Sequence, residues 1–161
     1  MLCAMRSNQI FSSMTTEQTA TFLDELKQEA RPVAALALSA AAQAFKLRPE
    51  FLKRQPTKRQ AEWVRKALGR TSGAPIAEEV LASYFLDHHK GLLIELLDAL
   101  GVEHEDGQLK ESLPASPPEA KLREVVEAFR QGDQGPRRDL LLRAFAAQSG
   151  IDWPELERLL Q

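Results

Sequence analysis

Cysteine is almost missing from this chain. Cys3 is the sole thiol in 161 residues, so neither an intrachain disulfide framework nor a cysteine-based zinc site can form. An apolar core must therefore hold the fold, and a reducing setting, the cytoplasm, is expected. Long apolar runs are missing too: the stretch Gly91 to Leu100 is interrupted by Glu95 and Asp98. It falls short of the roughly 18 to 20 residues of a membrane-spanning helix, so no membrane partner is expected. The opening MLCAMRSNQIFSS lacks the apolar core and cleavage site of a secretory signal. No glycine-rich loop follows a strand pattern, and no serine occupies a strained glycine-flanked elbow. Accordingly no catalytic residue, metal ligand set or cofactor is assigned.

What is present suffices for one ordinary domain. Hydrophobic residues make up 43%, enough for a real core. The formal net charge of -2 gives no global attraction to nucleic acid or membrane. An electrostatic signal therefore has to be local.

Helix starts are legible because Ser, Thr or Asp stands three residues before Glu or Gln, the spacing of a reciprocal cap. Four such pairs occur: Thr15 with Gln18, Thr57 with Gln60, Ser116 with Glu119, and Asp152 with Glu155. Pro32, Pro49, Pro75, Pro117 and Pro136 suit first helical turns, where a missing N–H is harmless. These signals predict helices near 16–30, 32–46, 49–55, 57–69, 75–88, 90–100, 117–131, 136–148 and 153–160. Apolar stripes such as Phe22, Leu23, Leu26 and Ala30, or Leu122, Val125, Val126 and Phe129, support them. No alternating β-branched run appears, so no sheet is expected. The fold class is all-α: a bundle of about seven to nine short helices.

Between Ile76 and Leu100 the apolar face jumps by about 140°, counting about 100° per residue, which predicts a break near His89 to Gly91. Gly101 then reads as a left-handed helix cap with Val102 as its apolar contact. Residues 1–14 read as a disordered tail, or as an extension ahead of the true start, and residues 15–161 as one helical domain. The stretch 103–118, acidic and then rich in Ser and Pro (Ser112, Pro114, Ser116, Pro117, Pro118), is a surface connection and a candidate subdivision. Residues 61–100 and 122–160 share an outline, with Val64 and Val125, Ala67 and Ala128, and Pro75 and Pro136 at one offset. Two similar helical halves are a further reading. The alanine-rich stretch Val33 to Phe45 reads as a closely packed internal helix, or else as a self-association face.

The clearest local anomaly is Lys46 to Arg70: nine Lys and Arg stand against Glu50 and Glu62, a net of +7 that leaves -9 for the rest. On a helix from Thr57, Ala61, Val64 and Leu68 fall on one arc and Lys58, Arg59, Arg65, Lys66 and Arg70 on the other. Trp63 falls beside Arg59 and Arg70. The candidate anion or nucleic-acid-binding residues are Lys53, Arg54, Lys58, Arg59, Trp63, Arg65, Lys66 and Arg70. The cations would attract phosphates by counterion release, and Trp63 would offer a stacking platform. The competing reading is a solvated face neutralised by Glu103, Glu105, Asp106 and Glu111.

A second cluster, Asp87-His88-His89 with His104 and its acidic neighbours, holds ligand types that zinc and iron accept. Adjacent histidines diverge by about 100° on a helix, which is wrong for a helix-borne site. The sequence thus leads to a cytoplasmic, bacterial, non-catalytic protein-interaction module. A nonspecific nucleic-acid-binding protein using the basic face is the alternative, and a metal-dependent enzyme around His88, His89 and His104 the third.

Overall fold

The computed structural model describes residues 5–110, 115–148 and 151–161; Cys3, Glu111, Ser112 and Pro114 lie outside them. The described chain is all-α, with ten α-helices: α1 Ser7–Ser13, α2 Thr16–Glu29, α3 Arg31–Ala44, α4 Pro49–Lys53, α5 Thr57–Gly69, α6 Ala74–Ser83, α7 Lys90–Leu100, α8 Glu119–Arg130, α9 Gly135–Ala147 and α10 Pro154–Leu160. A 3-10 turn, Thr71–Gly73, precedes α6, and a π turn, Tyr84–His88, follows it.

The chain divides into two compact units between Tyr84 and Phe85, inside the π turn and not at the 103–118 connection. Arg6–Tyr84 carries α1 to α6. Here α5 packs on α1, α2 and α3, and α3 also meets α2, α4 and α6. The spacing of Phe22, Leu23 and Leu26 turns one face of α2 inward, and all three are buried. Phe22 meets Phe11 at 6.0 Å and the edge of Tyr84 at 5.1 Å between ring centroids. On α3, Val33, Ala34, Ala37, Ala41 and Ala42 are buried, small side chains that let neighbouring helices approach closely. Phe85–Gln161 carries α7 to α10. In that unit α8 packs on α7, α9 and α10, and Trp153 meets Phe145 at 5.2 Å, near edge-to-face.

Of the four expected caps, one forms as drawn. Gln18 N–H donates to Thr15 Oγ1 at 3.0 Å, and Thr15 N–H to Gln18 Oε1 at 2.9 Å. The other three starts follow Pro56, Pro118 and Trp153, with no side-chain cap. Near α5 the polar groups do another task. Gln60 is buried, and its Nε2 donates to the carbonyl of Leu52 at 2.9 Å at the end of α4. Lys27 Nζ meanwhile donates to Thr57 Oγ1 at 3.1 Å and to Gln60 Oε1 at 2.5 Å. A tertiary network has taken over what looked like a local cap.

Residues 7–13, placed in a tail by sequence, are helical. Ile10 and Phe11 are buried, and α1 packs on α5 and α6. Two adjacent apolar residues make no periodic stripe, so only tertiary docking reveals this helix. The expected absence of sheet is also corrected. His104–Glu105 pairs antiparallel with Gln108–Leu109 as β1 and β2. Asp106 and Gly107 link them with φ of 53° and 89°, the left-handed pair of a two-residue hairpin turn that the Asp-Gly dipeptide signals.

The break before α7 falls at His89, as the phase jump predicts. Gly101 ends α7 at φ 71°, with Val102 N–H bonded to Leu97 carbonyl at 3.0 Å and Gly101 N–H to that of Asp98 at 3.1 Å. This is a Schellman cap. Val64 and Ala67 are buried, whereas Val125 is half-buried and Ala128 exposed. Of the three coincidences, these two pairs differ in burial, whereas Pro75 and Pro136 both sit exposed in a helix first turn.

Candidate functional site

The basic segment occupies the end of α3, all of α4 and one side of α5. On α5, Ala61, Val64, Ala67 and Leu68 are buried as the wheel requires, while Lys58, Arg59, Lys66 and Arg70 are exposed. Lys53 and Arg54, at the end of α4, are exposed as well. Arg59, Trp63, Lys66 and Arg70 follow at steps of four, three and four, which confines them to an arc of about 60°.

Trp63 is half-buried at the edge of this stripe. The Arg59 guanidinium stands 4.8 Å from its ring centroid, with Glu62 3.6 Å away as an exposed ion pair. Phe51 of α4 meets the Trp63 ring at 5.9 Å and 67°. At 44% exposure, Phe51 is the one large apolar side chain left open among the described residues. Sequence reasoning passed over it. The signal was there: in Phe51-Leu52 only one of two neighbours on a five-residue helix can face inward, and Leu52 is the buried one. At the other end of the stripe the Arg70 guanidinium lies over the Phe45 ring at 4.3 Å.

One candidate does not belong to the face. Arg65 is half-buried, and its Nε and Nη2 donate to the carbonyls of Met14 at 2.5 Å and Ser12 at 3.0 Å. Its fork is used to satisfy backbone just beyond and within the last turn of α1. Lys53, Arg54, Lys58 and Lys66, by contrast, make no ion pair among the described residues. Within the acidic run, Asp106 is engaged by Lys90 Nζ at 2.8 Å.

The histidines are dispersed. Asp87 and His88 are exposed in the π turn, and His89 is half-buried at the helix break. His104 is built into the hairpin: Nδ1 accepts from Gly107 N–H at 3.1 Å, and Nε2 lies 2.7 Å from Asp98 Oδ1. This network selects the tautomer with the proton on Nε2, donating to Asp98. Both ring nitrogens are then used, and among the described residues no group of three His, Cys, Asp or Glu side chains is placed to hold a metal.

The fold defines the class: the described residues form an all-α protein. Among the described residues no helix is long and apolar enough to cross a membrane. No protein-family model matches the chain, and no curated protein and no solved structure is significantly similar to it.

Proposed function

We propose that this chain is a non-catalytic protein-interaction module that docks an acidic partner on the face formed by α4 and α5. One observation carries the reading: Phe51, 44% exposed, stands against Trp63 on a face where Lys53, Arg54, Lys58 and Lys66 have no carboxylate partner among the described residues. An open aromatic ring gains by burial in an interface, and Trp and Arg are enriched among residues that dominate binding energy. Unpaired lysines around such a centre steer an acidic surface toward it and fix its orientation. The setting we propose is cytoplasmic, which a single cysteine favours.

Nonspecific binding of nucleic acid is the second reading, favoured by the same free cations. The position of Arg59 weighs against it, since the guanidinium occupies the Trp63 ring face on which a base would stack.

The test is capture from nuclease-treated extract of the native host, comparing the natural chain with Phe51→Ser and Lys66→Glu. A protein retained by the natural chain and lost by both variants, then shown to bind as purified material, supports the module. Capture indifferent to both substitutions, or abolished by nuclease, removes it.

A further inference from the structure

The arrangement of charges along α5 specifies the partner further, on the assumption that the proposed docking face is correct. We infer that the occupant of this face is an acidic amphipathic helix lying along α5. It carries carboxylates at positions i, i+7 and i+11, opposite Arg59, Lys66 and Arg70, and an apolar side chain against Phe51 and Trp63.

Helical pitch sets the match. Arg59, Lys66 and Arg70 lie about 10.5 Å and about 16.5 Å apart along the axis from the first, at about 1.5 Å per residue. All three point into the same arc of about 60°. A second helix has the same rise, so carboxylates at i, i+7 and i+11 share one of its faces and meet the three cations one to one. An extended chain advances about 3.3 Å per residue and alternates sides, so its residues nearest the cations are the first, the third onward and the fifth onward. Odd steps point away from the first. An extended acidic segment thus matches two of the three cations at most. Lys66 is the exposed centre of the row and makes no ion pair among the described residues. Arg59 and Arg70 are held by aromatic rings, at 4.8 Å from Trp63 and 4.3 Å from Phe45. Rings that fix guanidinium groups in place lower the entropy lost when carboxylates bind them.

The apolar component lies at one end. Phe51 and Trp63 sit beside Arg59, while Phe45 underlies Arg70. The partner's large apolar residue therefore belongs near the carboxylate that meets Arg59. Helix-in-groove recognition of this kind reads anchors at helical spacing.

The experiment uses the full chain and two labelled peptides of identical composition, each an Ala- and Gln-rich helix with three Glu and one Leu. In the first the glutamates stand at i, i+7 and i+11; in the second they are moved to i, i+5 and i+9, which scatters them around the helix. Fluorescence anisotropy should show the first binding at least about tenfold tighter than the second. Lys66→Glu should remove that preference, and a peptide with Lys at i+7 should restore binding to this variant, a charge-swap cycle that stability loss cannot mimic. Equal affinity for both peptides, or no rescue by the swap, overturns the helix. So does a single-stranded oligonucleotide that binds more tightly than the first peptide, with affinity falling by about 0.7 log units per log unit of salt for each phosphate neutralised. If neither peptide binds while capture of a protein still depends on Phe51 and Lys66, the helix falls and the docking face stands. If that dependence is absent, both fall.

Discussion

Arg65 and Met14 stand 51 positions apart, yet the Arg65 Nε donates to the Met14 carbonyl at 2.5 Å while its Nη2 reaches the carbonyl of Ser12 at 3.0 Å. A side chain that a helical wheel assigns to solvent thereby closes the end of another helix. Helix termini leave carbonyls without intrahelical donors, and a planar guanidinium can satisfy two at once. Arg65→Ala should lower unfolding free energy by roughly 1–3 kcal/mol, because hydrogen bonds to a charged donor are lost and the bond to the Met14 carbonyl is partly buried, whereas that to Ser12 is exposed. Arg65→Lys should recover only part of this, since a single ammonium does not reproduce the fork. Urea unfolding of the three proteins measures both effects, and a loss below a few tenths of a kcal/mol would show that the contact is incidental.

Phe11 leads to a second expectation. The ring is fully buried and meets Phe22 at 6.0 Å, so Phe11→Ala should destabilise by roughly 3–5 kcal/mol. Deleting residues 1–13 should likewise lower the melting temperature by several degrees. Thermal unfolding followed by circular dichroism decides this, and an unchanged midpoint would return the segment to the status of a tail.

Lys46 ends α3 at φ 54°, where Leu47 N–H bonds the carbonyl of Ala42 at 2.8 Å and Lys46 N–H that of Gln43 at 3.3 Å. This is the glycine position of a Schellman cap, taken by a residue whose Cβ is strained there. Lys46→Gly should therefore stabilise the protein by about 0.5–1 kcal/mol, the relief of strain exceeding the added freedom of the unfolded chain. A lower denaturation midpoint would contradict it.

Phe51 separates stability from binding. Being 44% exposed, it should tolerate replacement by Ser within about 0.5 kcal/mol of folding stability. If the face docks a partner, the same change should weaken binding by about 2 kcal/mol or more, as at the centre of an interface. Calorimetry of unfolding and titration with the captured partner provide the two numbers. A large loss of stability with unchanged affinity would assign Phe51 to the core.

The helix series was legible in sequence because its causes are local. Prolines at first turns, the Thr15 and Gln18 pair, the phase jump before Lys90 and Gly101 after Leu100 each act within a few residues, so α2 to α10 could be read from order alone. The inward face of α5 was legible for the same reason, since 3.6-residue periodicity places Ala61, Val64 and Leu68 together. Three features were decided by tertiary structure. Helix α1 has too few apolar residues to announce itself and is held by burial of Ile10 and Phe11. Gln60 follows Thr57 at cap spacing, but its amide is engaged by the Leu52 carbonyl in α4 and by Lys27. Among the cations, Arg65 is drawn to α1 while Lys66, one residue later and about 100° further around the helix, faces solvent. A sequence lists which side chains bear charge, whereas the partner of each charge depends on which distant backbone the fold brings within hydrogen-bond range.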